Sequence, residues 1–154
     1  MKREEVLKLY NYYVKKFYRI IKVKNSTYNT QLNVLGNKLF GGKFVGVFSI
    51  NTIPKNLKPG SFLITNTKEA EVEGEHWLAV VIGKNKTIYI YDTYGRKSKK
   101  LIPDAYKRAI GKGYKIKDSH YSAEQSITAR SCGLRSIGFL KVVDEVGITN
   151  ALKI

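Results

Sequence analysis

From Val6 to Ile21 apolar side chains return every three or four positions: Val6, Leu9, Tyr13, Phe17 and Ile20, with Tyr10, Val14 and Ile21 alongside. That period is helical and predicts an amphipathic helix over residues 2–23. Its other faces are dominated by Lys8, Lys15, Lys16, Arg19, Lys22 and Lys24. The expectation is that the apolar stripe packs on the domain and the charges stay in water. Binding to a membrane surface or to nucleic acid is the alternative use of such a helix. Asn25-Ser26-Thr27 interrupts the pattern, a short helix is read around Thr30–Leu39, and Phe40-Gly41-Gly42-Lys43 breaks it. Residues 44–50 and Ser61–Thr65 read as strands, joined by the turn-rich stretch Ile53–Gly60.

A hairpin is the clearest element. His76–Ile82 is a buried-strand run, Gly83-Lys84-Asn85-Lys86 has turn chemistry, and Thr87–Asp92 returns. If Gly83, Lys84 and Asn85 form a three-residue loop, paired positions sum to 168, and His76 and Asp92 lie opposite each other on one face. A four-residue loop would send them to opposite faces. A site using both requires the first register or one differing from it by two. Beyond the hairpin come a basic loop at Arg96–Lys100, a short helix at Pro103–Ile110 and a strand at Tyr114–Lys117. Leu134, Ile137, Phe139, Leu140, Val142 and Val143 predict a mostly buried helix that begins at Cys132. With no repeat and no linker, strands and segregated helices imply one α+β domain over 1–154.

Composition narrows the setting. The 154 residues suffice for one domain with a real core. A single Cys excludes an intrachain disulfide and suits a reducing compartment. Two His and one Cys without a close ligand pair give no reason to expect a metal site. No apolar stretch approaches the roughly 20 residues of a membrane span, and charges interrupt Met1–Lys24 too often for a signal peptide. The expectation is a protein that is not secreted, soluble inside a cell or packaged in a particle made there. The net charge of +16, from 28 Lys and Arg against 12 Asp and Glu, favours a polyanionic partner such as nucleic acid.

Four residues suggest chemistry by their order: His76, Asp92, Gln125 and Cys132. Cys132 stands between small residues at a predicted helix start and is a candidate nucleophile. Thiols attack as thiolates, and a free thiol with pKa near 8.5 is only slightly ionised at neutral pH. His76 would supply the base, Asp92 would orient its ring, and the helix N-terminus would favour the anion. The Cys132 N–H and the Gln125 amide could hold an oxyanion. Taken singly, each has a plainer reading: a small buried hydrophobe, a strand-rim histidine, a turn former and an ordinary glutamine. His120, five residues before Gln125, is the poorer base candidate.

These residues carry a resemblance. Glu75-His76-Trp77-Leu78-Ala79 is similar to the catalytic histidine block of the adenovirus maturation protease (adenain) family, relatives of the ubiquitin-like-protein proteases. Ile90-Tyr91-Asp92-Thr93-Tyr94-Gly95 resembles the block of the third triad member, and Gln125 with Cys132-Gly133-Leu134 the oxyanion and nucleophile blocks. The likeness spans about Phe40–Phe139 and leaves residues 1–28 as an N-terminal helical extension. It implies a papain-related adenain-like fold with a mixed sheet and the nucleophile at a helix N-terminus. The implied activity is a cysteine endopeptidase that cleaves capsid and core precursors at Gly-Gly-type sites in virion maturation. Trp77 and Gly133 would border the substrate. The setting would be the virion interior and host cytoplasm of a virophage or related double-stranded DNA virus, and the protein a monomer. No cofactor is required. DNA is the possible activator, bound non-specifically by Arg96, Lys97, Lys99, Lys100, Lys107 and Arg108. That family's peptide activator is linked through a second cysteine, which this chain lacks. Leu39-Phe40-Gly41-Gly42 matches the substrate pattern and raises self-cleavage after Gly42. The rival readings are a deconjugating protease for ubiquitin-like proteins and a basic DNA-binding or packaging protein.

Overall fold

Every position of the second and third strands is apolar or shielded, because their sheet is covered on both faces. In this computed structural model, residues 1–21, 28–67, 76–119 and 132–154 are described, Tyr28 and Cys132 by backbone alone. The elements are α1 (Arg3–Ile21), α2 (Tyr28–Phe40), β1 (Phe44–Phe48), β2 (Phe62–Asn66), β3 (Trp77–Ile82), β4 (Thr87–Tyr91), α3 (Ser98–Leu101), α4 (Pro103–Gly111), β5 (Lys115–Asp118), α5 (Cys132–Val146) and α6 (Ile148–Ala151). The strands form one mixed sheet in the order β1-β2-β3-β4-β5. Both outer pairs are parallel and both inner ones antiparallel. This is an α+β fold with helices flanking a mixed sheet.

Two apolar layers divide the strand residues by parity. Phe62, Ile64, Ala79, Val81 and Tyr91 pack with α1, α2 and α5. Leu63, Leu78, Val80, Ile82 and Ile90 pack with Ile102 and, less deeply, with Ile50, Ile53, Leu57 and Ala105. A strand buried on both faces reads as a continuous apolar run, which is why the FLITN and WLAVVI segments show little alternation. Helix α5 supplies the centre of the larger layer through Leu134, Ile137 and Leu140, all fully buried.

Helix α1 is part of that layer rather than an appendage. Val6, Tyr10, Tyr13 and Phe17 are buried in it, while Ile20, expected on the same stripe, is 57% exposed. The Tyr10 and Tyr91 hydroxyls hydrogen-bond at 2.8 Å, and Tyr91 stacks on Phe139 with ring centroids 4.4 Å apart. Burial, then Tyr10, pushes the Tyr91 phenol well above its ordinary pKa, so it stays a neutral hydroxyl. The basic residues Lys8, Lys15, Lys16 and Arg19 are exposed on the other faces.

The hairpin loop lies one residue further along than expected. Gly83 N–H bonds Thr87 O at 2.7 Å, so Lys84-Asn85-Lys86 forms the three-residue loop and paired positions sum to 170, as in Ala79 with Tyr91. The left-handed backbone falls on Asn85 (φ 55°) and Lys86 (φ 53°). Gly83 serves packing instead: a Cβ there would sit 2.6 Å from the Tyr89 ring. Because 170 differs from 168 by two, His76 and Asp92 keep the same parity.

Three further boundaries differ from the sequence reading. The basic loop at Arg96–Lys100 contains a helical turn, α3, in which buried Ser98 receives its anchor from Asp118: the Ser98 N–H bonds Asp118 Oδ1 at 3.2 Å. Strand β1 stops at Phe48, and α6 follows α5 after Gly147, whose φ of 86° ends the longer helix. Among the described residues no helix is long and apolar enough to cross a membrane.

Helices α1 and α5 approach closely at Gly138, where an added Cβ would meet Val14 Cγ2 at 2.8 Å. Gly138→Leu is expected to destabilise the protein by about 1–3 kcal/mol through overpacking, measured by urea unfolding. A variant as stable as the parent would mean that α1 is not held against α5.

Candidate active site

Asp92 follows directly on β4 and is 1% exposed. A buried carboxylate is tolerated only when charge and hydrogen bonds replace its water. Here two neighbours do so. His76 Nε2 bonds Oδ1. Arg96 places its guanidinium across both oxygens, Nε on Oδ2 at 3.0 Å and Nη2 on Oδ1 at 3.3 Å, and adds its backbone N–H to Oδ2 at 2.8 Å. Burial alone would raise the Asp92 pKa. The His76 and Arg96 hydrogen bonds outweigh it and hold the carboxyl below its ordinary 3.8.

The backbone around Asp92 is fixed by two further contacts. Ser119, just beyond β5, accepts from the Asp92 N–H at 3.1 Å and donates its hydroxyl to the Asp92 carbonyl at 3.2 Å. The chain then turns through Thr93-Tyr94-Gly95, with the Gly95 N–H on Asp92 O at 2.9 Å and Gly95 at φ 69°. That turn brings Arg96 back to Asp92 four residues on, and sets Tyr94 beside both His76 and Arg96: its ring centroid lies 5.8 Å from that of His76 and 5.1 Å from the Arg96 guanidinium carbon.

His76 precedes β3 by one residue, is 8% exposed, and accepts the Thr67 N–H on its carbonyl at 3.1 Å. An ionised carboxylate only accepts, so Nε2 carries the proton in their hydrogen bond and Nδ1 is the basic nitrogen of the neutral ring. Next to it, Trp77 is half-buried against the larger core and its carbonyl accepts the Ser136 hydroxyl at 3.4 Å. Ser136 is four residues into α5, one helical turn or about 6 Å from Cys132 by the 1.5 Å rise. Further along, Phe139 stacks on Tyr91, whose strand partner is Ala79. The axis of α5 therefore runs with β3, and its first turn points to the sheet end where His76 and Asp92 stand.

Cys132 is the first residue of α5, its side chain outside those described, and Gly133 is buried in the first turn. Gln125 and His120 lie outside the described residues. Lys97, Lys99, Lys100, Lys107 and Arg108 are exposed, and among the described residues no carboxylate pairs with them; Arg96 is committed to Asp92. Gly41 and Gly42 lie in a 3₁₀ turn behind buried Phe40, with Gly41 at φ 57°, not in the extended form a protease cleft takes. Among the described residues no group of three or more His, Cys, Asp or Glu is placed to hold a metal ion. The sequence reading did not assign Arg96, Tyr94 or Ser119 to this site. Asp92 followed four residues later by Arg96 across a Gly95 turn was the available signal. No protein-family model matches the chain, and no curated protein matches it.

Removing the carboxylate with Asp92→Ala leaves the buried His76 N–H and the half-exposed Arg96 guanidinium without their acceptor and is expected to cost about 1–3 kcal/mol in urea unfolding at neutral pH. Asp92→Asn tests the charge. Since the folded carboxyl titrates below its ordinary 3.8, its contribution is full above that pH and is lost as pH falls through the depressed value. The stability gap between parent and Asp92→Asn should therefore narrow between about pH 5 and pH 2. A gap that stays constant across that range would show that the ionised form is not the stabilising one.

Proposed function

We propose that this chain is a cysteine endopeptidase of the adenain and ubiquitin-like-protein protease type, with Cys132 as nucleophile, His76 as base and Asp92 as the orienting carboxylate. The observation that carries the reading is the buried His76–Asp92 pair, clasped by Arg96, at the sheet end that the first turn of α5 faces, a helix whose first residue is the only cysteine.

In this mechanism the Cys132 proton passes to His76 Nδ1, and the thiolate attacks the carbonyl carbon of the scissile peptide bond. The tetrahedral oxyanion takes hydrogen bonds from the Cys132 N–H and the Gln125 amide, each such donor being worth about 2.7–4 kcal/mol. Collapse breaks the C–N bond, and His76 returns the proton to the leaving amine. Water, deprotonated by the same nitrogen, hydrolyses the thioester and restores the thiol. Asp92 keeps the ring in the tautomer this requires, and Arg96 keeps Asp92 ionised. Trp77 and Gly133 border the cleft in this reading, and cleavage falls after Gly in Gly-Gly-type sites. The substrates in this reading are capsid and core precursors inside an assembling particle. Self-cleavage after Gly42 is disfavoured by its 3₁₀ turn and by the burial of α1 in the main core.

A second reading rests on a different observation: the exposed cations Lys97, Lys99, Lys100, Lys107 and Arg108, unpaired with carboxylates among the described residues. They favour non-specific DNA binding, as an activator of the protease or as the protein's whole function.

A fluorogenic Leu-x-Gly-Gly peptide tested beside a ubiquitin-like fusion separates maturation from deconjugation. Cys132→Ala should lower cleavage by at least about 10³-fold with DNA binding unchanged. No cleavage by the parent protein, with DNA present and absent, would sink the protease reading and leave the binding module. Lys99→Ala with Lys100→Ala should lower the slope of log Kd against log salt for duplex DNA by roughly 2. An unchanged slope would place the phosphate contacts elsewhere.

A further inference from the structure

The smaller apolar layer is incompletely filled. Between the sheet, the segment 50–57 and helix α4 lies a cleft of about 630 Å³. Its floor is aliphatic: Leu63, Val80, Ile82, Ile88 and Ile90. Ile53 and Leu57 form one wall, Ala105 and Ala109 the other. A concave site of this size, mainly apolar with a few polar groups, is of the kind that takes small molecules.

Its charge is one-sided. Lys55, Arg108 and Lys112 line it and no Asp or Glu does. Arg108 and Lys112 also complement the negative end of α4. Lys55 comes from the facing segment, has no helix end to serve, and is exposed. Cations therefore stand on both walls of an uncharged floor. An extended peptide laid on this floor would bring backbone N–H and C=O groups over aliphatic side chains that cannot satisfy them. An unbranched hydrocarbon chain has no such groups.

We infer that this cleft binds a long-chain carboxylate, its aliphatic chain along the sheet floor and its headgroup at Lys55 and Arg108. The site shares no residue with the His76 cluster, and the inference stands or falls independently of the protease reading.

Dodecanoate titrated into the full-length protein below its micelle concentration, followed by calorimetry, tests it. One equivalent is expected to bind. Ala105→Trp, which fills the cleft, should weaken dodecanoate and its uncharged methyl ester alike, each by at least about tenfold. Lys55→Glu with Arg108→Glu, both at exposed positions that leave the core untouched, should weaken dodecanoate about tenfold or more and spare the methyl ester. If Ala105→Trp fails to fold, this charge-reversed variant decides alone. The inference is overturned by no dodecanoate binding, by equal affinity for dodecyltrimethylammonium, or by affinity unchanged in the charge-reversed variant.

Discussion

A carboxylate shut away from water sets the terms for one whole end of this molecule. Asp92 is ionised only because His76 and Arg96 share it, and either partner alone would leave lone pairs of a buried anion without donors. Meeting that demand ties together three separate stretches of chain. The register of β3 on β4 brings His76 near. The turn Thr93-Tyr94-Gly95 returns Arg96 to the same carboxylate. Ser119 pins the Asp92 backbone from beyond β5. The cluster is therefore costly to assemble in isolation and stable only as a product of the finished sheet. Such expense is hard to justify on structural grounds alone, since an apolar trio of similar volume would often hold as well.

Most of the architecture follows from apolar spacing. The helical period of residues 6–17, the continuous apolar runs of β2 and β3, and the buried pattern after Cys132 each correspond to an element in the expected place. What spacing could not settle was where a local residue serves a distant one. Gly83 has the composition of a turn, yet its missing side chain makes room for the Tyr89 ring, and that displaces the loop by one residue. Ser98 and its lysines read as a loop because the partner that organises them, Asp118, is twenty positions away. Nor could a stripe of apolar residues reveal that α1 would be covered so completely by α5.

The site was legible to a similar depth. Strand parity alone restricted His76 and Asp92 to one face for any even shift of register, so the pair survived an error in the loop itself. Arg96 was assigned to the basic surface because composition counts charges without their partners. Its guanidinium faces inward to Asp92, and its i,i+4 relation to that residue belongs to a turn rather than a helix, where such a spacing would have been read as a pair. Tyr94 was hidden because it reaches His76 from the turn after β4, beyond the last ladder pair, where strand parity is no guide.

The two sides of the sheet are covered by unequal means, and their difference explains where spare volume occurs. On one side α5, crossed by α1 and α2, seals its layer with aromatic and branched side chains. On the other, a turn-rich segment and the nine residues of α4 must cover the same length of strand. Helices pack side chains into grooves at crystal-like density, whereas an irregular segment must also turn its backbone polar groups toward water. It packs the floor less tightly than a helix would: Leu63, Val80, Ile82 and Ile90 are buried, Ile88 is only half-buried, and a cleft remains beside them. At the end of β3 the two layers meet: the start of α5 arrives from the sealed side, and the turn carrying Tyr94 and Arg96 arrives from β4. Among the described residues the His76–Asp92 pair thus stands at a rim of the sheet, where polar groups can be met by turns and helix ends without passing through the core.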